Sequence, residues 1–233
     1  MGGYFGYILF SLPFLLLSQW ASRRVKGTFE KFSAVGTSQN MTGAQVARAL
    51  LDAYGLQNVA VERIAGTLTD HYDPRGKVLR LSEPVYDVSS VAAAGVAAHE
   101  MGHALQDADG YAPLRLRGAM VPTVTASSKL APMIFMGGML ASGFIGGQIG
   151  QLLMIVGIGL LAVSATFSLV TLPVEFDASK RAKKLLLEQG LMFKDEIKGV
   201  DKVLDAAALT YVAAAVQSVG TILYYVMRMQ RRR

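Results

Sequence analysis

From Leu130 to Leu172 the chain carries 43 consecutive residues without an Asp, Glu, Lys or Arg. One helix needs about 20 apolar residues to cross a bilayer, so this run reads as a pair of spans. Its most polar part, Gly143–Gly150, is the natural turn. The spacings Gly143/Gly147 and Gly146/Gly150 are of the small-xxx-small kind that lets helices approach closely in lipid. Tyr4–Trp20 is also uncharged and is followed by Arg23, Arg24 and Lys26. A signal peptide carries its positive charge before the apolar stretch, so this run reads as a retained anchor. Ala206–Met227 is apolar apart from Thr210, Tyr211, Gln217 and Ser218, ends in Arg228 and Arg231–Arg233, and reads as a last span.

Charge orders these pieces. Only 17% of the 233 residues are charged, against about 25% in soluble domains, which excludes a simple soluble globule, a disordered chain and a coiled coil. All 17 acidic residues lie between Glu30 and Asp205. With the first flank inside, residues 21–129 and 173–205 share the cytosolic face and hold 19 of the 23 Lys and Arg, as the positive-inside rule requires. The net charge of +6 then belongs to membrane flanks rather than to a nucleic-acid surface. The expected division is an anchor (1–20), a soluble unit (21–129), paired spans (130–172), a soluble helical segment (173–205), a last span (206–227) and a basic tail (228–233).

The soluble part reads as a small α+β unit. Thr42-Gly-Ala-Gln45 is a capping-box pattern opening a helix over Gly43–Tyr54, with Gly55 closing it. Val59–Arg63 alternates as a strand. Thr67–Tyr72 and Lys77–Ser82 flank Asp73-Pro-Arg-Gly76, a turn sequence, and predict a hairpin. Ser89 or Ser90 caps a helix reaching about Asp107, with Gly110 beyond its end.

That helix carries His99-Glu-Met-Gly-His103, an HExxH pattern. Residues four apart share a helix face about 6 Å from each other, so two imidazoles can grip one tetrahedral zinc. Zinc lowers the pKa of a coordinated water to about 7, and Glu100 is placed to take its proton as general base. The chain has no cysteine, so any metal is held by His, Asp and Glu. A third ligand is required. Asp109 sits where a metzincin-like pattern places one, but Gln106 replaces the glycine that breaks the helix there. Glu175 is distant, but two spans return it to the same membrane side. His71, before the hairpin turn, is a candidate to steady the oxyanion of the tetrahedral intermediate.

The order of an N-terminal anchor, HEMGHALQ, two spans and LPVEFDASKRAKKLL, with DHYDPRGKVLRLS upstream, resembles the YugP-type neutral zinc metallopeptidases of bacterial membranes over nearly the whole chain. The layout is also similar to the HtpX-type gluzincins, whose zinc-binding Glu lies beyond two spans. The resemblance implies Glu175 as third ligand. The HtpX-type pattern has an acid four residues after that Glu. Here the place holds Ser179, and the nearby acid is Asp177, about 200° away around the helix from Glu175. Asp177 is thus a candidate partner of a zinc histidine whose direction the pattern does not supply. The expected protein is mainly α, with about four transmembrane helices and a small α+β zincin-like catalytic unit. It is expected to be a metalloendopeptidase with one Zn2+ per chain, in a bacterial plasma membrane, with its catalytic unit cytosolic. Its partners would be a membrane or membrane-proximal polypeptide substrate and the lipid bilayer. The rival is a zinc-stabilised membrane scaffold or chaperone.

Overall fold

A computed structural model describes residues 4–144 and 147–230. Gly146 and Arg231–Arg233, singled out above, lie outside the described residues. The chain is mainly helical with one small sheet. In order, the elements are α1 (Tyr4–Ser33), α2 (Gly43–Ala53), β1 (Ala60–Ile64), β2 (His71–Asp73), β3 (Val78–Ser82), α3 (Glu83–Tyr86), α4 (Val91–Ala108), α5 (Ala112–Phe144), α6 (Gly147–Glu188) and α7 (Lys194–Gln230). Among the described residues three helices, α5, α6 and α7, are long and apolar enough to cross a membrane. The first helix, expected as a fourth span, is not among them.

The long helices are fewer and longer than the sequence pattern suggests. A proline after an apolar run commonly opens a new helix or marks a kink; Pro173 opens none, since it lies inside α6, which continues from the apolar run through Glu175 to Glu188. Proline lacks the N–H that would reach the carbonyl four residues back, yet a helix can pass through it. Likewise α7 joins the charged segment from Lys194 to the last apolar run without a break.

Two compact units are distinguishable. One comprises residues 4–20, 116–172 and 211–230 of the described chain. Its surface exposes Leu9, Leu16, Leu140, Leu152 and Leu223, a distribution suited to lipid rather than water. Here α5 and α6 meet through glycine. A Cβ on Gly138 would lie 2.8 Å from Gly150 O, and one on Gly157 would lie 2.9 Å from Phe135 N. Of the expected small-residue positions Gly150 takes part, while Gly143 and Gly147 face open space. Elsewhere in the unit Ser18 Oγ donates to Gln217 Oε1 at 3.1 Å, and Phe10 lies 5.3 Å from Tyr224 between ring centroids. Gln217, a polar residue of the last apolar run, is therefore used between helices.

The second unit comprises residues 21–115 and 173–210. Its sheet has the order β1-β3-β2, with β1 parallel and β2 antiparallel to β3. The β2–β3 turn is the expected one: Asp73 Oδ1 accepts from the N–H groups of Arg75 and Gly76 at 3.0 and 3.3 Å. The strand expected at Thr67–Tyr72 is shorter and shifted, because Gly66 and Leu68 adopt positive φ (108° and 58°). Asp70 instead uses its side chain, accepting from Ser82 N at 2.7 Å and Ser82 Oγ at 2.9 Å. The core is closed by Leu50 and Leu51 of α2, Leu79 and Leu81 of β3, Met101 of α4 and Leu186 of α6, none exposed at all. The capping box of α2 forms as read, with Thr42 and Gln45 exchanging hydrogen bonds.

Candidate metal centre

Ser90 starts α4: its hydroxyl accepts from Ala93 N at 3.1 Å. The first turns that follow are rich in alanine and glycine, and small side chains let neighbours come close. A Cβ on Gly95 would already lie 3.1 Å from Val200 Cγ1 of α7. Further along, His99 and His103 share one face, their rings 4.8 Å apart and at 86° to each other. Between them Gly102 sets the distance to α6. A Cβ there would sit 2.6 Å from Ala178 O, so the two backbones touch. Glu175 lies about one turn before Ala178 on α6. Its Oε2 lies 3.2 Å from His99 Nε2 and 3.6 Å from His103 Nε2.

His99, His103 and Glu175 therefore present three donor atoms all within 4.8 Å of one another, and Glu175 is only 2% exposed. Burial pushes the Glu175 carboxyl up, but hydrogen bonds and charge from His103 and then His99 outweigh it and hold it well below the usual carboxylate range. For His103 burial acts downward, and Glu175 and Glu100 overcome it to leave the imidazole above its ordinary value. Two imidazole nitrogens and one carboxylate oxygen, with the far nitrogen of each ring occupied by another partner, are a donor set that fits zinc.

Those far nitrogens meet residues that the sequence reading treated only as departures from a pattern. His99 Nδ1 lies 3.2 Å from Ser179 Oγ. His103 Nδ1 lies 2.9 Å from Gln106 Oε1. Gln106, fully buried, sends its Nε2 to Val174 O and to Asp177 Oδ2, both at 2.8 Å. Asp177 thus touches neither histidine, because it points away from the face shared by Glu175 and Ser179; it reaches His103 through Gln106. It also accepts from Arg181 Nε at 2.6 Å, and Arg181 pairs in turn with Asp109. Periodicity did hold the signal for both missed residues. Gln106 is three after His103, and Ser179 is four after Glu175.

Asp109 lies outside this cluster. It caps the C-terminus of α4 and its side chain is 56% exposed on Arg181. His71 also stays outside the cluster. It is exposed on β2, its Nδ1 hydrogen-bonded to Thr69 O at 2.9 Å. Strand alternation turns it away from the face of Tyr72, whose hydroxyl donates to Asp107 of α4 at 2.7 Å. Glu100 is 8% exposed, and its charge is one of the causes that raise the His103 pKa.

A helical protein with an apolar multi-helix portion and a His-His-Glu cluster, buried at His103 and Glu175, has the features of a membrane metalloprotein. The chain matches, over residues 7–230, the family described as "Putative neutral zinc metallopeptidase", and it belongs to that family. Among curated proteins it is similar to "Putative membrane protease YugP" of Bacillus subtilis (strain 168), with 48% identity over 223 residues, 95% of each chain. No solved structure matches it.

Proposed function

We infer that the protein is a membrane-embedded zinc metalloendopeptidase of the gluzincin type, in which His99, His103 and Glu175 hold one zinc per chain and Glu100 is the general base. The observation that carries the reading is Glu100 itself. Its side chain follows His99 directly on α4, is 8% exposed, and its charge acts on His103, one of three convergent metal donors. A structural zinc in a scaffold or chaperone has no use for it. Zinc bound by these donors supplies a Lewis acid that polarises the scissile carbonyl and lowers the pKa of water. Glu100 takes the proton of the attacking water and returns it to the leaving amine. The edge strand β2 offers main-chain groups to an extended polypeptide, so the substrate is a polypeptide in or near the membrane.

In this reading the second unit is zincin-like and cytosolic, and α1 forms a fourth span in a bacterial plasma membrane. Lys26, Lys77 and Lys194 then share one face, so a membrane-impermeant amine label reaches all three or none. The decisive test of catalysis is Glu100→Gln in the full-length protein. Zinc content is expected to stay near one per chain while peptide hydrolysis disappears. Hydrolysis at the wild-type rate by that variant would reject Glu100 as the base, and no hydrolysis by the wild-type protein would leave the scaffold.

A further inference from the structure

Gln106 joins the far side of His103 to the helix that carries Glu175, and its polar atoms can be counted. A primary amide has one oxygen that accepts and one nitrogen with two N–H donors. Which end points where is decided by the partners. At one end stand Val174 O and Asp177 Oδ2, at 2.8 Å each. A backbone carbonyl only accepts, and Asp177 is held as an acceptor by the guanidinium of Arg181. The nitrogen must therefore lie at that end, with both its N–H groups used. The oxygen is left facing His103 Nδ1 at 2.9 Å. It can only accept, so His103 Nδ1 must carry the hydrogen. A neutral imidazole has one N–H. Its Nε2, the nitrogen that faces Glu175 in the cluster, is then left with its lone pair outward.

We propose that Gln106 is a positioning residue that sets the tautomer of His103 and ties it to the Glu175 helix, and that Asp177 and Arg181 act on the metal centre only through its amide. The proposal rests on the reading of His99, His103 and Glu175 as a zinc site. Burial makes the arrangement strict: Gln106 is 0% exposed, so water has no access to replace the amide. His99 supplies the contrast. Its Nδ1 faces a serine hydroxyl at 3.2 Å, and a hydroxyl donates or accepts equally well. Ser179 therefore orients the His99 ring without choosing its tautomer. The two histidines look equivalent in the sequence, but only one is locked.

The test uses full-length protein in detergent and two readouts independent of activity: zinc affinity by chelator competition, and the visible spectrum of the Co2+-substituted protein, which reports ligand geometry. Gln106→Leu keeps the approximate shape but removes both hydrogen-bonding ends. It is expected to weaken zinc binding by about 10–100-fold and to alter the Co2+ spectrum, while Ser179→Ala costs less. Gln106→Glu alone places two carboxylates together and is expected to be at least as damaging. Adding Asp177→Asn to it restores the pattern. The new carboxylate at position 106 accepts from His103, and the new amide at position 177 turns its nitrogen to that carboxylate and its oxygen to Arg181, dividing between two atoms the bonds that Asp177 Oδ2 now accepts alone. The double variant should recover most of the lost affinity and the wild-type spectrum, falling short only because Val174 O loses its donor. It also decides the matter if Gln106→Leu fails to fold. Wild-type affinity and spectrum in folded Gln106→Leu, or no recovery in the double variant, would overturn the proposal. Absence of zinc binding by the wild-type protein would instead overturn the metal reading beneath it.

Discussion

The two units use the same device, glycine at a helix contact, for different ends. Between α5 and α6, Gly138, Gly150 and Gly157 bring backbones together among apolar side chains, and the gain is packing alone, as is usual between helices in lipid. Between α4 and α6, Gly102 does the same against Ala178, but the approach encloses His99, His103, Gln106, Glu175 and Asp177. Closeness in one unit holds helices together; in the other it holds donor atoms at coordinating distance. One helix, α6, supplies both contacts. The steric requirement is thus similar at Gly138 and Gly102, and the chemical consequence is not.

The largest expected effect sharpens the second half of that comparison. Glu175→Ala removes the donor that α6 contributes to the proposed site, and zinc affinity is expected to fall beyond the roughly 10–100-fold that losing an outer partner costs. Asp109→Ala breaks only an exposed ion pair with Arg181 and should leave affinity close to wild type. Zinc retained in Glu175→Ala and lost in Asp109→Ala, measured by metal analysis after dialysis, would reverse the ligand assignment.

Next come the glycines. Gly102→Ala and Gly138→Ala each force a methyl group into backbone atoms, and overpacking of this kind costs roughly 1–3 kcal/mol. Both should lower the unfolding temperature, but only Gly102→Ala should also weaken zinc binding. Gly143→Ala has open space around its Cβ and replaces a helical glycine, so it should be neutral or stabilising by up to about 1 kcal/mol. Equal loss of zinc in the first two variants would mean that the metal centre depends on α5–α6 packing as well.

The smallest expected effect is on the metal-free protein. The folded environment raises the His103 pKa above its ordinary value of about 6.5. A group raised on folding stabilises fully below the unfolded pKa and loses that contribution as pH rises through the folded one. Glu175, held low, remains ionised throughout. The unfolding temperature of chelator-treated protein should therefore decline as pH rises from about 6 through the folded His103 pKa. The zinc-loaded protein should not follow it, since metal binding requires the neutral ring. Parallel curves for the two forms would break the link between His103 and the metal.

What is legible in the sequence is whatever depends on neighbours along the chain. Apolar runs longer than a bilayer's thickness, the Thr42/Gln45 capping box, the Asp73–Gly76 turn, and two histidines four apart follow from hydration and from helix or turn geometry within a few residues. The first strand of the hairpin differs from its sequence pattern because Gly66 and Leu68 at positive φ, together with the Asp70–Ser82 side-chain bonds, are tertiary choices. Pro173 opens no new helix, because a helix long enough to continue on both sides overrides one missing hydrogen bond.

The tertiary structure alone decided the partners of the two histidines. Sequence periodicity puts Asp177 off the Glu175 face and Ser179 on it, but not which faces of α4 and α6 meet, nor how closely. That depends on the rotation and separation of two helices whose contacting residues lie some 70 positions apart, set by Gly102 against Ala178 and by the packing of the core around them. Once that contact exists, hydrogen-bond accounting leaves little freedom: Ser179 falls on His99, Gln106 on His103, and Asp177 on Gln106. The residue types that could hold a metal are written locally; their second partners exist only because two helices touch.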